Sequence, residues 1–145
     1  MNPNKISIAC DHAGVDLKND LIKILQNKNI AVVDHGCKHN QSVDYPDYAK
    51  LVALDVQQHR ADCGILVCGS GIGMAITANR FKAVRAASIT SVYSAELARK
   101  HNDLNVLCLG ARVVGGGLAV AILEKFLTTE FEAGRHVGRV AKIEI

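Results

Sequence analysis

A chain of 145 residues, 49% of them hydrophobic, is long enough for one domain with a substantial core and too short for a comfortable second one. A net charge of +3, with three Phe, three Tyr and no Trp, excludes the basic, aromatic surface of a nucleic-acid binder, and no apolar run nears the roughly 20 residues of a membrane span. Five cysteines without a CxxC pair argue for free thiols in a reducing cytoplasm, and Met1-Asn2-Pro3-Asn4-Lys5 has no basic-then-apolar leader pattern.

A first strand reads from Ile6 to Cys10 and ends in Asp11-His12; Leu17, Leu21, Ile24 and Leu25 then recur at helical spacing. Ile30 to Asp34 is a second strand. It opens onto His35-Gly36-Cys37-Lys38-His39, whose spacing matches no closed zinc pattern, so a polar loop without a metal is expected. In Asp44-Tyr45-Pro46-Asp47-Tyr48-Ala49, Pro46 starts a helix that Tyr48, Leu51, Val52 and Val56 continue. Gly64 to Cys68 is a buried third strand, Cys68-Gly69-Ser70-Gly71-Ile72-Gly73 a glycine loop, and Met74 to Arg80 a helix. Val84 to Ile89 is a fourth strand. The Tyr93 to Lys100 helix, with Leu97 and Ala98 on its apolar side, ends in His101-Asn102-Asp103. Val106 to Leu109 is the fifth strand, closed by Gly110-Ala111-Arg112, and Leu118, Ile122, Leu123 and Phe126 mark the next helix. Gly134 should stop it and leave an arm over residues 131–145 that carries Arg135 and Arg139.

Alternating strands and helices imply an α/β fold: a three-layer αβα sandwich around a five-stranded parallel sheet, flavodoxin- or Rossmann-like, in the order 2-1-3-4-5. Ligands of such sheets bind at the carboxyl ends of the strands, near the point where strand order reverses. That rule singles out Asp11, His12, the loop from Cys68 to Gly73, and Arg112.

The glycine loop joins a strand end to a helix start, where unpaired N–H groups favour anions. It is not a dinucleotide fingerprint, because Met74 stands where a small residue is required and no acidic residue follows near position 89. Nor is it a P-loop, since no Lys-Ser or Lys-Thr follows the glycines. What distinguishes it is Cys68, whose thiol beside those amides is favoured as thiolate and so can act as a base on a carbon-bound proton. Cys10 and Cys108 read as small buried hydrophobes. Arg135 and Arg139 can fork onto one phosphate or stand in a solvated tail, and His101 alone reads as an ordinary helix terminus.

Taken together, Cys10-Asp11-His12-Ala13-Gly14, Asp44 to Ala49, the CGSGIG loop, Arg99-Lys100-His101-Asn102-Asp103, Gly110 to Gly115 and Gly134-Arg135-His136 resemble ribose-5-phosphate isomerase of type B in order and spacing, nearly end to end. The resemblance implies cofactor- and metal-free interconversion of ribose 5-phosphate and ribulose 5-phosphate through an enediolate. It also implies a homodimer, or dimer of dimers, whose sites draw on both chains. Cys68 would move the proton between C2 and C1; His101, with Asn102 and Asp11 nearby, would open the sugar ring; Ser70 would assist proton movement between the oxygens. The amides of Gly69, Gly71, Ile72 and Gly73 would hold the enediolate, Tyr45 would touch the sugar, and His12, Arg112, Arg135 and Arg139 would serve the phosphate. Met74 occupies the place where cysteine-free relatives carry a glutamate, which leaves Cys68 without a rival base. Two alternatives stand beside this reading: an isomerase of allose or galactose 6-phosphate, and a non-catalytic phosphosugar-binding protein. The thiol, which phosphate binding does not require, argues against the second.

Overall fold

In a computed structural model describing residues 1–144, strands β1 (Lys5–Cys10), β2 (Ala31–Asp34), β3 (Cys63–Cys68), β4 (Ala86–Ser88) and β5 (Val106–Gly110) form one parallel sheet. Helices α1 (Val15–Asn27), α2 (Tyr45–Gln57), α3 (Ile72–Ala78), α4 (Val92–Asn102), α5 (Gly116–Thr128) and α6 (Arg135–Ala141) connect and follow them. This is the expected three-layer α/β sandwich.

The strand order is β2-β1-β3-β5-β4, which corrects the expected 2-1-3-4-5 at one edge. The cause lies in the two strands themselves. Every residue of β5 is buried, whereas β4 is three half-buried residues, Ala-Ala-Ser, that offer little apolar surface to a central position. Right-handed crossovers then fix the layers. The chain skips outward from β3 to β4 and returns to β5, so α4 falls on the face of α1 and α5, opposite α2 and α3.

Period-two alternation feeds the two layers separately. Ile6, Ile8, Cys10, Ile65, Val67, Leu107 and Leu109 face α1, α4 and α5, while Ala9, Leu66, Cys68, Val106 and Cys108 face α2 and α3. The second face is built from smaller residues and lets helices come close; a Cβ on Gly64 would stand 2.5 Å from a Val52 methyl.

Two polar groups are built into the layers. Lys18 of α1 is fully buried and donates to Asp34 at the end of β2 across 2.7 Å. Under α2, Asp55 accepts from Ser7 Oγ at 2.8 Å and Arg60 Nε at 2.7 Å, and lies 2.6 Å from His35 Nε2. Burial works to raise the Asp55 pKa, but the hydrogen bonds from His35, Ser7 and Arg60 outweigh it and hold the carboxyl below the usual carboxylate range. His35, the first of the ligand-type side chains in the 35–39 loop, therefore has a structural partner. Cys37 instead donates to the His39 carbonyl at 3.1 Å.

The segment expected to trail as an arm is ordered against its own chain. Gly134 takes φ +53° and starts α6, which packs on α4 and buries His136. Ile145 of that segment lies outside the described residues. No helix among the described residues is long and apolar enough to cross a membrane.

Candidate active site

At the carboxyl ends of β1, β3 and β5 a hollow of about 450 Å³ is lined by Asp11, His12, Tyr45, Cys68, Gly69, Ser70, Gly73 and Arg112, with Ala13 and Val113 at its rim. Three strand ends converge there because β3 sits between β1 and β5. Ladder-like bonds continue past the strands: Asp11 N–H donates to the Val67 carbonyl at 3.0 Å, and Ala111 N–H to that of Cys68 at 2.8 Å.

Cys68 is 5% exposed at the end of β3, and its sulfur accepts the Gly71 N–H across 3.1 Å. Among the described residues it is the only cysteine sulfur that accepts a backbone N–H. By contrast, burial pushes the Cys10 and Cys63 thiols up to about 12, and Cys108 higher still. Those three are inert core residues, as expected for Cys10 and Cys108, whereas Cys68 faces a donor and a hollow.

The loop takes this shape through close approaches that side chains would forbid. Gly71 has φ +79°, a left-handed conformation suited to glycine, and a Cβ there would meet Ser88 Oγ at 2.6 Å. Ser88 in turn donates to the Ser70 carbonyl at 3.0 Å. A Cβ on Gly73 would stand 2.7 Å from the Tyr45 ring, so the bare backbone lets the tyrosine rest on the loop. The N–H groups of Ser70 and Gly73 have no partner among the described residues, and that of Ile72 is turned to Ser70 Oγ at 3.3 Å. The Ile72 side chain points outward, 56% exposed.

Asp11 is nearly buried, with one carboxylate oxygen accepting the Ala13 N–H at 2.9 Å. His12 Nδ1 accepts the Val43 N–H at 3.3 Å, which leaves Nε2 as the protonated nitrogen of the neutral ring, free to donate outward. Arg112 packs along the loop, its Nη1 3.4 Å from where a Gly69 Cβ would be.

His101, Asn102 and Arg139 do not join this group. They line a second hollow of about 390 Å³ with His136, Val140 and Ile143. Within one chain His101 and Asp11 thus line different hollows; the strand order, which puts α4 on the opposite layer from α3, is the physical reason. The last turn of α4 that carries His101 is firmly held. Arg99, 4% exposed, donates to Asp103 at 2.8 Å and to the Leu104 carbonyl, and Arg85 clamps the other Asp103 oxygen at 2.8 Å. Arg135 and Arg139 are exposed on α6.

His136 enters the sequence motifs only within Gly134-Arg135-His136, and Glu132 enters none. The rings of His101 and His136 stack with centroids 4.4 Å apart and planes within 9°. Burial and the charges of His101, Arg135 and Arg139 lower the His136 pKa. The i, i+4 spacing of Glu132 and His136 is their one signal in the sequence, and it gains meaning only where the segment folds back onto α4.

A family profile described as Ribose/Galactose Isomerase matches residues 6–143. Ribose-5-phosphate isomerase B of Escherichia coli (strain K12) is 45% identical over 139 residues, spanning 96% of this chain and 93% of that protein. The structure of Clostridium thermocellum ribose-5-phosphate isomerase B superposes with a TM-score of 0.95 at 45% identity, covering 96% of this chain and 94% of that one. That of the Mycoplasma genitalium enzyme, with bound ribulose-5-phosphate, gives 0.93 at 43% identity, covering 96% and 93%.

Proposed function

The chain belongs to the ribose/galactose isomerase family, and we propose that it is an aldose–ketose isomerase interconverting ribose 5-phosphate and ribulose 5-phosphate with Cys68 as the base. The observation that carries this reading is the Cys68 sulfur under the Gly71 N–H at the wall of a hollow that also holds Asp11, His12, Ser70 and Arg112.

Removing the proton at C2 places negative charge on two oxygens. The unpaired amides of Ser70 and Gly73 are preorganised donors for that charge, each worth roughly 3 kcal/mol in a site that excludes water. The Cys68 thiolate takes the proton from C2 and returns it to C1, while the Ser70 hydroxyl passes a proton between O2 and O1. Gly71 keeps the sulfur in register, Gly69 gives Arg112 room to lie along the loop, and the Ile72 amide orients the Ser70 hydroxyl. Asp11 accepts a sugar hydroxyl and Tyr45 flanks the chain of carbons.

His12 Nε2 and Arg112 are placed to meet a phosphate, with Arg135 and Arg139 completing its grip. Binding energy from this unreactive group holds C2 against the sulfur. His101 opens the ring, oriented with Asn102. Because these two and Arg139 line a separate hollow in one chain, the reading includes a homodimer in which the last turn of α4 and helix α6 of each copy complete the other's Cys68 site. Five free thiols accord with a cytoplasmic setting.

The test is solvent isotope exchange. Cys68→Ala should bind ribose 5-phosphate yet incorporate no solvent deuterium at the exchangeable carbon; undiminished exchange would remove Cys68 as base. A coupled assay over ribose, allose and galactose phosphates separates the pentose reading from the hexose one.

A further inference from the structure

His101, Glu132 and His136 bring three ligating atoms within 4.8 Å of one another. Both ring Nε2 atoms stand 3.7 Å from the same Glu132 Oε2, beyond hydrogen-bond reach but close to the spacing of atoms that share an ion. Ligands about 2 Å from a tetrahedral zinc lie roughly 3.3 Å apart, so a few tenths of an ångström closes each His–Glu132 edge, and the His101–His136 edge, within 4.8 Å, closes by a turn of the exposed His101 ring. A second observation points the same way. His136 Nε2 is the one buried side-chain N or O atom among the described residues without a hydrogen-bond partner, on a ring that is 5% exposed. Buried polar atoms are otherwise nearly always satisfied, and an orphan of this kind calls for an occupant.

We propose that His101, Glu132 and His136 form a binding site for a divalent transition-metal ion such as zinc. Two imidazoles and one carboxylate are the ligand set of borderline cations, with a fourth position open to the hollow beside Arg139 and Val140. The stacked rings must tilt for both lone pairs to converge. His101, about a third exposed, and Glu132, half exposed, have the freedom to do so, while buried His136 is the fixed member. Arg135 and Arg139 on the same helix oppose a dication, so the affinity is moderate and the site is one that fills and empties rather than a permanent structural centre.

Occupancy takes the His101 Nε2 lone pair. Resting on the reading of His101 as the ring-opening group, the ion is therefore an inhibitor of the isomerase and not its cofactor. It withdraws a residue from the reaction while leaving the Cys68 hollow intact.

The experiment is calorimetric titration of zinc into the full, metal-free protein, run beside isomerase assays at the same zinc concentrations. Wild type should bind one zinc per chain. Glu132→Gln and His136→Gln should each weaken binding about tenfold or more, and Cys68→Ala should bind as wild type does. Magnesium, which prefers oxygen ligands, should not compete. Absence of zinc binding, binding unchanged in both the Glu132 and His136 variants, or binding lost in Cys68→Ala would overturn the site. Inhibition should follow occupancy, with Glu132→Gln needing correspondingly more zinc. Zinc bound at these residues with turnover undiminished would uphold the site and instead remove His101 from ring opening.

Discussion

The α-carbon of Gly110 lies against the carbonyl of Ser70: a Cβ at position 110 would be 2.7 Å from both the carbon and the oxygen of that group. The end of β5 thereby sets the height of the loop that carries Ser70 beside Cys68.

Gly110→Ala should push the loop outward with little damage to the core. Overpacking of this kind costs about 1–3 kcal/mol, whereas a shift near 1 Å in a catalytic loop costs about a hundredfold in rate. The expected outcome is a large fall in kcat with a modest fall in Tm. A variant that keeps wild-type kcat would show that the loop tolerates the displacement.

A site shared between chains makes a sharper prediction. Cys68→Ala and His101→Ala should each be inactive alone, but mixing them through dissociation and reassociation should restore activity. Random pairing makes half of the dimers mixed, each with one intact site of two, so recovery approaches about a quarter of the wild-type rate. No recovery after verified exchange would place both residues in the same chain's site.

Arg135→Ala and Arg139→Ala should raise KM for a phosphorylated sugar by about tenfold to a hundredfold, the worth of a charge-assisted hydrogen bond, and barely alter KM for an unphosphorylated analogue. Equal effects on both substrates would end their phosphate role.

Asp55 predicts the acid limit of the fold. Its carboxyl titrates below the ordinary range because His35, Ser7 and Arg60 bind the charged form. The stability it contributes is present above the usual carboxylate pKa of about 4 and is lost as pH falls through the lower folded value. Asp55→Ala should cost about 3 kcal/mol at neutral pH, leaving buried Ser7, Arg60 and His35 without their common acceptor, and should flatten the pH dependence of unfolding below pH 4. Chemical denaturation at several pH values reads both effects.

The layers, all five strands and the Cys68 hollow were legible because each depends on local signals: apolar runs, helical spacing, and glycines next to a thiol. The order of β4 and β5 was not. It is decided by competition between two strands for a buried place, and the weakness of Ala86–Ser88 becomes visible only against the fully buried Val106–Gly110. The helix within residues 131–145 was hidden for a related reason. Gly134 does end one run, but its positive φ also begins α6, whose anchor is a single buried histidine rather than an apolar stripe. His101 and Asp11 each stand near where the motif order suggested, yet their separation follows from topology that no single motif encodes.

Lys18 is the only buried lysine among the ten in the chain, its amine closed under α1 against Asp34. An amine-acylating reagent given to the native protein should modify the other lysines first. The slow labelling of residue 18 would then time how often the first helix lifts off, an internal clock for breathing that needs no added probe.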